Sequence, residues 1–148
     1  MSRILVAYYS LTGNTEKMAD YIAEGIRISG HEAIVKRVPD IQKDELKGFD
    51  GYIFGSPTHH LDIAEPMKGF LFLPNREDMK DKLAGAFGSY THTGNAPSII
   101  YDTMEHVLKM KMFALGPFNL EERLVETLEG RKACHDYGRV FGADIEAN

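Results

Sequence analysis

The segment Arg3 to Tyr9 (Arg-Ile-Leu-Val-Ala-Tyr-Tyr) runs directly into Ser10-Leu11-Thr12-Gly13-Asn14-Thr15, after which Met18, Ile22 and Ile26 recur at four-residue intervals. The β-branched and aromatic run reads as a buried strand, and the spaced apolar residues as one face of a helix. A strand that passes through a hydroxyl-rich turn into a helix has the makings of a phosphate grip. The helix N-terminus presents unpaired N–H groups and the positive end of its dipole, and a glycine just before it lets backbone approach an anion closely. Thr12 or Asn14 alone would read as an ordinary helix cap. Hydroxyl or amide side chains at Ser10, Thr12, Asn14 and Thr15 together exceed what one cap needs.

Further along, short apolar runs alternate with helical patterns, which points to a parallel sheet covered on both faces. His31 to Val38 reads as a second strand ended by Pro39, and Phe49 to Gly55 as a third. A punctuated loop, Ser56-Pro57-Thr58-His59-His60, follows, and then a helix with Pro66 in its first turn and Met67, Phe70 and Leu71 on its apolar face. Leu83 to Ser89 reads as the fourth strand, Tyr90 to Asn95 as a loop, Ala96 to Lys109 as a helix, and Lys111 to Leu115 as the start of a fifth strand. Beyond it, Asn119 with Glu122 three residues on has the form of a capping box, which argues for a helix, but residues 118–128 stay open between helix and a strand with loop. A last helix is expected over Gly130 to Phe141, with a frayed tail from Asp144. With no repeat, linker or low-complexity tract, residues 1–148 are expected to form a single domain.

Composition narrows the functions open to such a fold. A hydrophobic share of 43% is too high for disorder, and a net charge of −5 disfavours nucleic acid and anionic membranes while favouring a basic protein partner. Cys134 is the only cysteine, which excludes an intramolecular disulfide and a Cys-x-x-Cys redox pair. No run of apolar residues reaches transmembrane length, and a first strand beginning at Arg3 leaves no room for a signal peptide, so the expected compartment is the cytoplasm. Phosphate chemistries that need particular letters are missing: there is no Gly-x-x-x-x-Gly-Lys-[Ser/Thr] loop, no Gly-x-Gly-x-x-Gly turn, and neither Cys nor Arg in the first loop.

The hexapeptide Ser10-Leu11-Thr12-Gly13-Asn14-Thr15 after the first strand resembles the FMN-phosphate loop of the flavodoxin family. Gly55-Ser56-Pro57-Thr58 and Gly88-Ser89-Tyr90-Thr91-His92-Thr93-Gly94 resemble its second and third flavin-contacting loops, the second being most similar to the flavodoxin modules of A-type (flavodiiron) flavoproteins. The resemblance spans nearly the whole chain and is weakest after residue 116. It implies a flavodoxin-like α/β three-layer sandwich with a five-stranded parallel sheet of order 2-1-3-4-5, whose ligand crevice lies at the strands' C-terminal ends.

FMN is therefore the expected cofactor. Ser10, Thr12, Asn14 and Thr15 would hold its phosphate, with backbone from Leu11 and Gly13. Ser56, Pro57, Thr58, His59 and His60 would frame one edge of the ring. Ser89, Thr91, His92 and Gly94 would meet its other end, and Tyr90 would stack on one face. No tryptophan is available for the opposite face. Histidines titrate near neutrality, so those in these loops would offset the charge of a reduced flavin. No metal site and no general acid or base is expected. The implied function is electron transfer between protein redox partners, with Asp62 and Glu65 steering a basic docking face. A small FMN-dependent NAD(P)H:quinone-type reductase and a cofactor-free regulatory domain of the same fold remain the alternatives.

Overall fold

In a computed structural model, which describes residues 1–59 and 61–147, the first apolar run forms β1 (Arg3–Tyr8), buried from Ile4 onward because helices cover both faces of the sheet. β1 pairs in parallel with β2 (Glu32–Arg37) on one side and β3 (Gly51–Gly55) on the other. Past β3 the chain makes a small antiparallel hairpin, β4 (Thr58–His59) and β5 (Asp62–Ile63), before α2 (Glu65–Leu71) and the single turn α3 (Arg76–Met79). β6 (Leu83–Tyr90) then returns to pair with β3.

Helices cover both faces. α1 (Asn14–Ile28) and α5 (Leu128–Glu146) bury Met18, Ile22, Ile26 and Phe141 against Ile4, Val6, Ile53 and Phe87. They pack closely because a side chain at Gly25 would strike the His135 carbonyl, and one at Gly138 the Ile22 carbonyl. α2 and α4 (Ala96–His106) cover the other face, where Met67, Phe70, Ile100 and Met104 meet Leu5, Ala7, Tyr52 and Phe54. Among the described residues, no helix is long and apolar enough to cross a membrane.

The expected order 2-1-3-4-5 is present as β2-β1-β3-β6 followed by a fifth strand in two pieces. β7 (Lys111–Met112) pairs with Leu83 and Ala84, and β8 (Phe118–Glu121) pairs with Phe87 through Tyr90. Phe113 still donates its N–H to the Ala84 carbonyl at 2.8 Å, and residues 114–117 then leave the sheet. The polar groups of Ala86 on β6 then lack a neighbouring strand, and the Tyr137 hydroxyl of α5 takes its place: it accepts from the Ala86 N–H at 3.1 Å and donates to the Ala86 carbonyl at 3.3 Å.

The C-terminal third decides one open alternative and corrects the bounds of the last helix. Asn119 does not cap a helix, because β8 pairs its backbone with β6 in register with Gly88. The cap belongs to Thr127, whose hydroxyl accepts from the Gly130 N–H at 3.1 Å and starts α5 two residues before Gly130. α5 continues to Glu146, so the expected tail from Asp144 is mostly helix. Likewise the helix expected to reach Lys109 stops at His106, and Lys109 takes a φ of 56°.

Candidate functional site

The C-terminal ends of β1, β3 and β6 lie side by side, and the three loops that leave them meet there. In the first, Gly13 is the N-cap of α1 at φ 95°, a left-handed conformation that glycine adopts without strain. The Ser10 hydroxyl accepts from the Gly13 N–H at 3.0 Å and folds the turn. No side chain caps the helix, and its first internal bond runs from the Lys17 N–H to the Gly13 carbonyl. The N–H groups of Asn14, Thr15 and Glu16 are thus left without intrahelical acceptors. The capping role open to Thr12 and Asn14 is not taken: the Asn14 amide donates to the exposed Thr12 hydroxyl at 3.2 Å. Glu16, the acid of this turn, is turned toward β1, where it accepts from the Tyr8 hydroxyl at 3.1 Å. Burial, reinforced by Glu16, pushes the Tyr8 phenol up to about 12, so it remains a donor.

The second loop is the hairpin β4–β5. Ser56 is fully buried at its base, donating to the Pro57 carbonyl at 2.9 Å and accepting from the Ala64 N–H at 3.1 Å. Its hydroxyl therefore closes the hairpin. Thr58 is half-buried, and its hydroxyl accepts from the Ala96 N–H at 3.0 Å, satisfying the first turn of α4 from a distant loop. Half-buried His59 stands opposite Asp62 in the hairpin register. Asp62 is drawn to Lys68 at 2.5 Å, which holds its carboxyl below the usual carboxylate range, and Glu65 lies 3.6 Å from the same ammonium. Both proposed steering acids are thus partly neutralised within the chain. His60 lies outside the described residues.

The third loop begins at half-buried Tyr90 and runs through exposed Thr91, His92 and Thr93 to Gly94. Asn95 donates to the Leu61 carbonyl at 3.0 Å, and Asn119 of β8 donates to the Gly94 carbonyl at 2.6 Å. These two amides and Thr58 tie the third loop to the hairpin and to the sheet edge. Between them opens a cleft of about 250 Å³ lined by Thr58, Leu61, Thr91, His92 and Thr93, with Tyr90 adjoining its rim in sequence. Leu11 on the first loop and Leu61 at the hairpin turn are 65% and 62% exposed, which gives this end of the molecule apolar surface beside its donors.

The described site thus has two ends of different chemistry. One offers an uncapped helix N-terminus and neutral hydroxyl and amide groups, suited to a phosphate; the other is a cleft with mixed apolar and polar walls, suited to the edge of a flat ring. Asn95 and Asn119 were not among the expected site residues. The alternation Phe118-Asn119-Leu120-Glu121 carried the signal for Asn119, since a period of two marks a strand and would have placed it beside the third loop.

Comparison with known proteins bears on the family and the fold. The family model described as Flavodoxin matches residues 6–138. An NAD(P)H dehydrogenase (quinone) of Archaeoglobus fulgidus is 33% identical over 168 aligned residues, covering 97% of this chain and 85% of that one. The structure of a flavodoxin from the domain Archaea superposes with a TM-score of 0.89 at 26% identity, over 97% of this chain and 99% of that one. The flavodiiron protein of Giardia intestinalis shares the fold, with a TM-score of 0.88 at 20% identity over 99% of this chain and 37% of its own length. The chain belongs to the flavodoxin family, and its cofactor is FMN.

Proposed function

We propose that this protein is an electron carrier that passes electrons between protein redox partners, with FMN phosphate at residues 10–15 and the ring between the hairpin and the third loop. Bound FMN supplies the redox chemistry; the chain's own part is to hold it and leave one ring edge open to a partner. Ser10, Thr12 and Asn14, with the free N–H groups of the first helical turn, suit the phosphate without a cationic side chain. Thr58 and Leu61 on one side and Tyr90, Thr91 and His92 on the other suit the ring.

The observation that carries this reading is one of size. The aligned span with the Archaeoglobus relative is 168 residues long, whereas this chain has 148, so that relative carries insertions within the matched region. An NAD(P)H:quinone reductase must seat a nicotinamide and a quinone over the flavin. The loops around this cleft are a six-residue hairpin, 58–63, and a short turn, and they give little wall for a second substrate. The reductase reading is kept because that relative, and others, carry the name NAD(P)H dehydrogenase (quinone).

Absorption spectra and steady-state kinetics separate the readings. The carrier is expected to purify yellow with FMN, to oxidise NADH or NADPH with a quinone no faster than free FMN does, and to relay electrons from a flavoprotein reductase to cytochrome c. Rapid NAD(P)H-dependent quinone reduction by the isolated protein would establish the reductase instead. A colourless protein that does not take up added FMN would point to a cofactor-free domain.

A further inference from the structure

Thr15 in the first turn of α1 and Ser89 near the end of β6 are 74 positions apart, yet their hydroxyl oxygens lie 2.9 Å from each other and each residue is 1% exposed. Each hydroxyl carries one proton. Only one of the two protons can lie between the oxygens, and neither hydroxyl has another hydrogen-bond partner among the described residues. One buried O–H donor is left without an acceptor, which native structures rarely tolerate. One of the two hydroxyls, that of Thr15, stands in the helical turn whose N–H groups at Asn14, Thr15 and Glu16 also await an acceptor. All these groups are donors, and no carboxylate competes there, because Glu16 is occupied by Tyr8.

We propose that Ser89 is a positioning residue for the FMN phosphate. Its O–H donates to the Thr15 oxygen, and this directs the Thr15 proton to a phosphate oxygen. An anion in front of α1 selects that polarity, since the reverse one would turn a lone pair toward the phosphate and leave the Ser89 proton within the sheet. Ser89 therefore acts on the phosphate through Thr15, although the sequence places it among the ring-contacting loops. The relay rests on the reading of residues 10–15 as the phosphate loop.

Flavin-fluorescence titrations of the apoprotein with FMN and with riboflavin, and competition of FMN by inorganic phosphate, test it. Ser89→Ala is expected to weaken FMN about three- to tenfold, to weaken inorganic phosphate as well, and to leave riboflavin unchanged. Ser89→Cys, with similar volume and a weaker donor, should fall between the two. In a Thr15→Val background, Ser89→Ala should cost nothing further. Equal loss of FMN and riboflavin would overturn the relay in favour of simple packing, and so would a Ser89→Ala effect that persists undiminished without the Thr15 hydroxyl. If the unmodified protein holds FMN no more tightly than riboflavin, the phosphate-loop reading fails first and the relay with it, an outcome visible before any variant is compared.

Discussion

Thr12 projects from the first loop into solvent with only the Asn14 amide donating to it. Its own proton is free for an anion. Thr12→Val is therefore expected to weaken FMN by about 1–3 kcal/mol, the range for an oxyanion that loses one of its donors, with riboflavin much less affected; paired titrations with the two flavins measure the difference. Cys134 gives a contrasting case. It lies on α5, fully buried on the face that packs against the sheet, and burial alone pushes its thiol up to about 12. Thiolate, the reactive form, is then nearly absent at neutral pH. Maleimide or Ellman labelling at pH 8 should proceed only as fast as the protein opens, and brief urea exposure should release the full signal. At this scale the phosphate loop was readable because local spacing defines it: strand, hydroxyls, glycine and helix are consecutive in Arg3 to Ile26. Ser56 and Ser89 were legible as loop residues but not as buried bonding partners, because their contacts, Ala64 and Thr15, lie 8 and 74 positions away.

Among elements, the split fifth strand depends on a helix for its completeness. Tyr137 satisfies both polar groups of Ala86 where the ladder is interrupted. Tyr137→Phe removes the hydroxyl and leaves a buried N–H and C=O unpaired, so we expect a loss of about 1–3 kcal/mol. Urea unfolding should show a lower midpoint with an unchanged slope, because the surface exposed on unfolding is the same. Elements with a strong local period were legible: β1, β3, β6, α1 and the Pro66-initiated α2 fall close to where apolar spacing puts them. The hairpin β4–β5 was not, for its strands are two residues each and no pattern can emerge from so few. Nor was β8, where a cap-like Asn and Glu conflict with the strand period and pairing to β6 decides the outcome. Tertiary pairing outweighed the local capping preference there.

For the whole molecule, ligand binding and net charge give the measurable consequences. Side-chain bonds from Thr58, Asn95 and Asn119 join the hairpin, the third loop and the sheet edge, Thr15 joins the first helical turn to Ser89, and FMN binding to this folded arrangement stabilises only the folded state. Thermal unfolding should therefore rise with FMN concentration, by an increment equivalent to about 2.7 kcal/mol at one hundred times Kd. The net charge of −5 bears on the partner. If docking follows charge, the second-order rate of electron delivery to basic cytochrome c should fall steeply as ionic strength rises past the point where the screening length is about 10 Å, near 0.1 M. A flat salt dependence would mean that apolar contact through exposed Leu11 and Leu61 governs the encounter instead. The layer arrangement followed from the alternation of strands and helices and the strand order from the family resemblance, whereas the Asp62–Lys68 pairing that softens the acidic rim needed the fold to appear.

The excursion at residues 114–117 also matters when molecules crowd together. A parallel sheet ends in two exposed edges, each a template onto which a strand from another chain can add. Here one edge consists of a two-residue piece and a four-residue piece separated by a detour that includes Gly116 at φ 76° and Pro117. An incoming strand would find no continuous row of N–H and C=O groups to match, and Pro117 has no N–H to offer. The opposite edge, β2, carries charge at Glu32, Lys36 and Arg37. The broken strand thus defends the folded chain against edge-to-edge aggregation, and Tyr137 is what allows the sheet to bear the interruption.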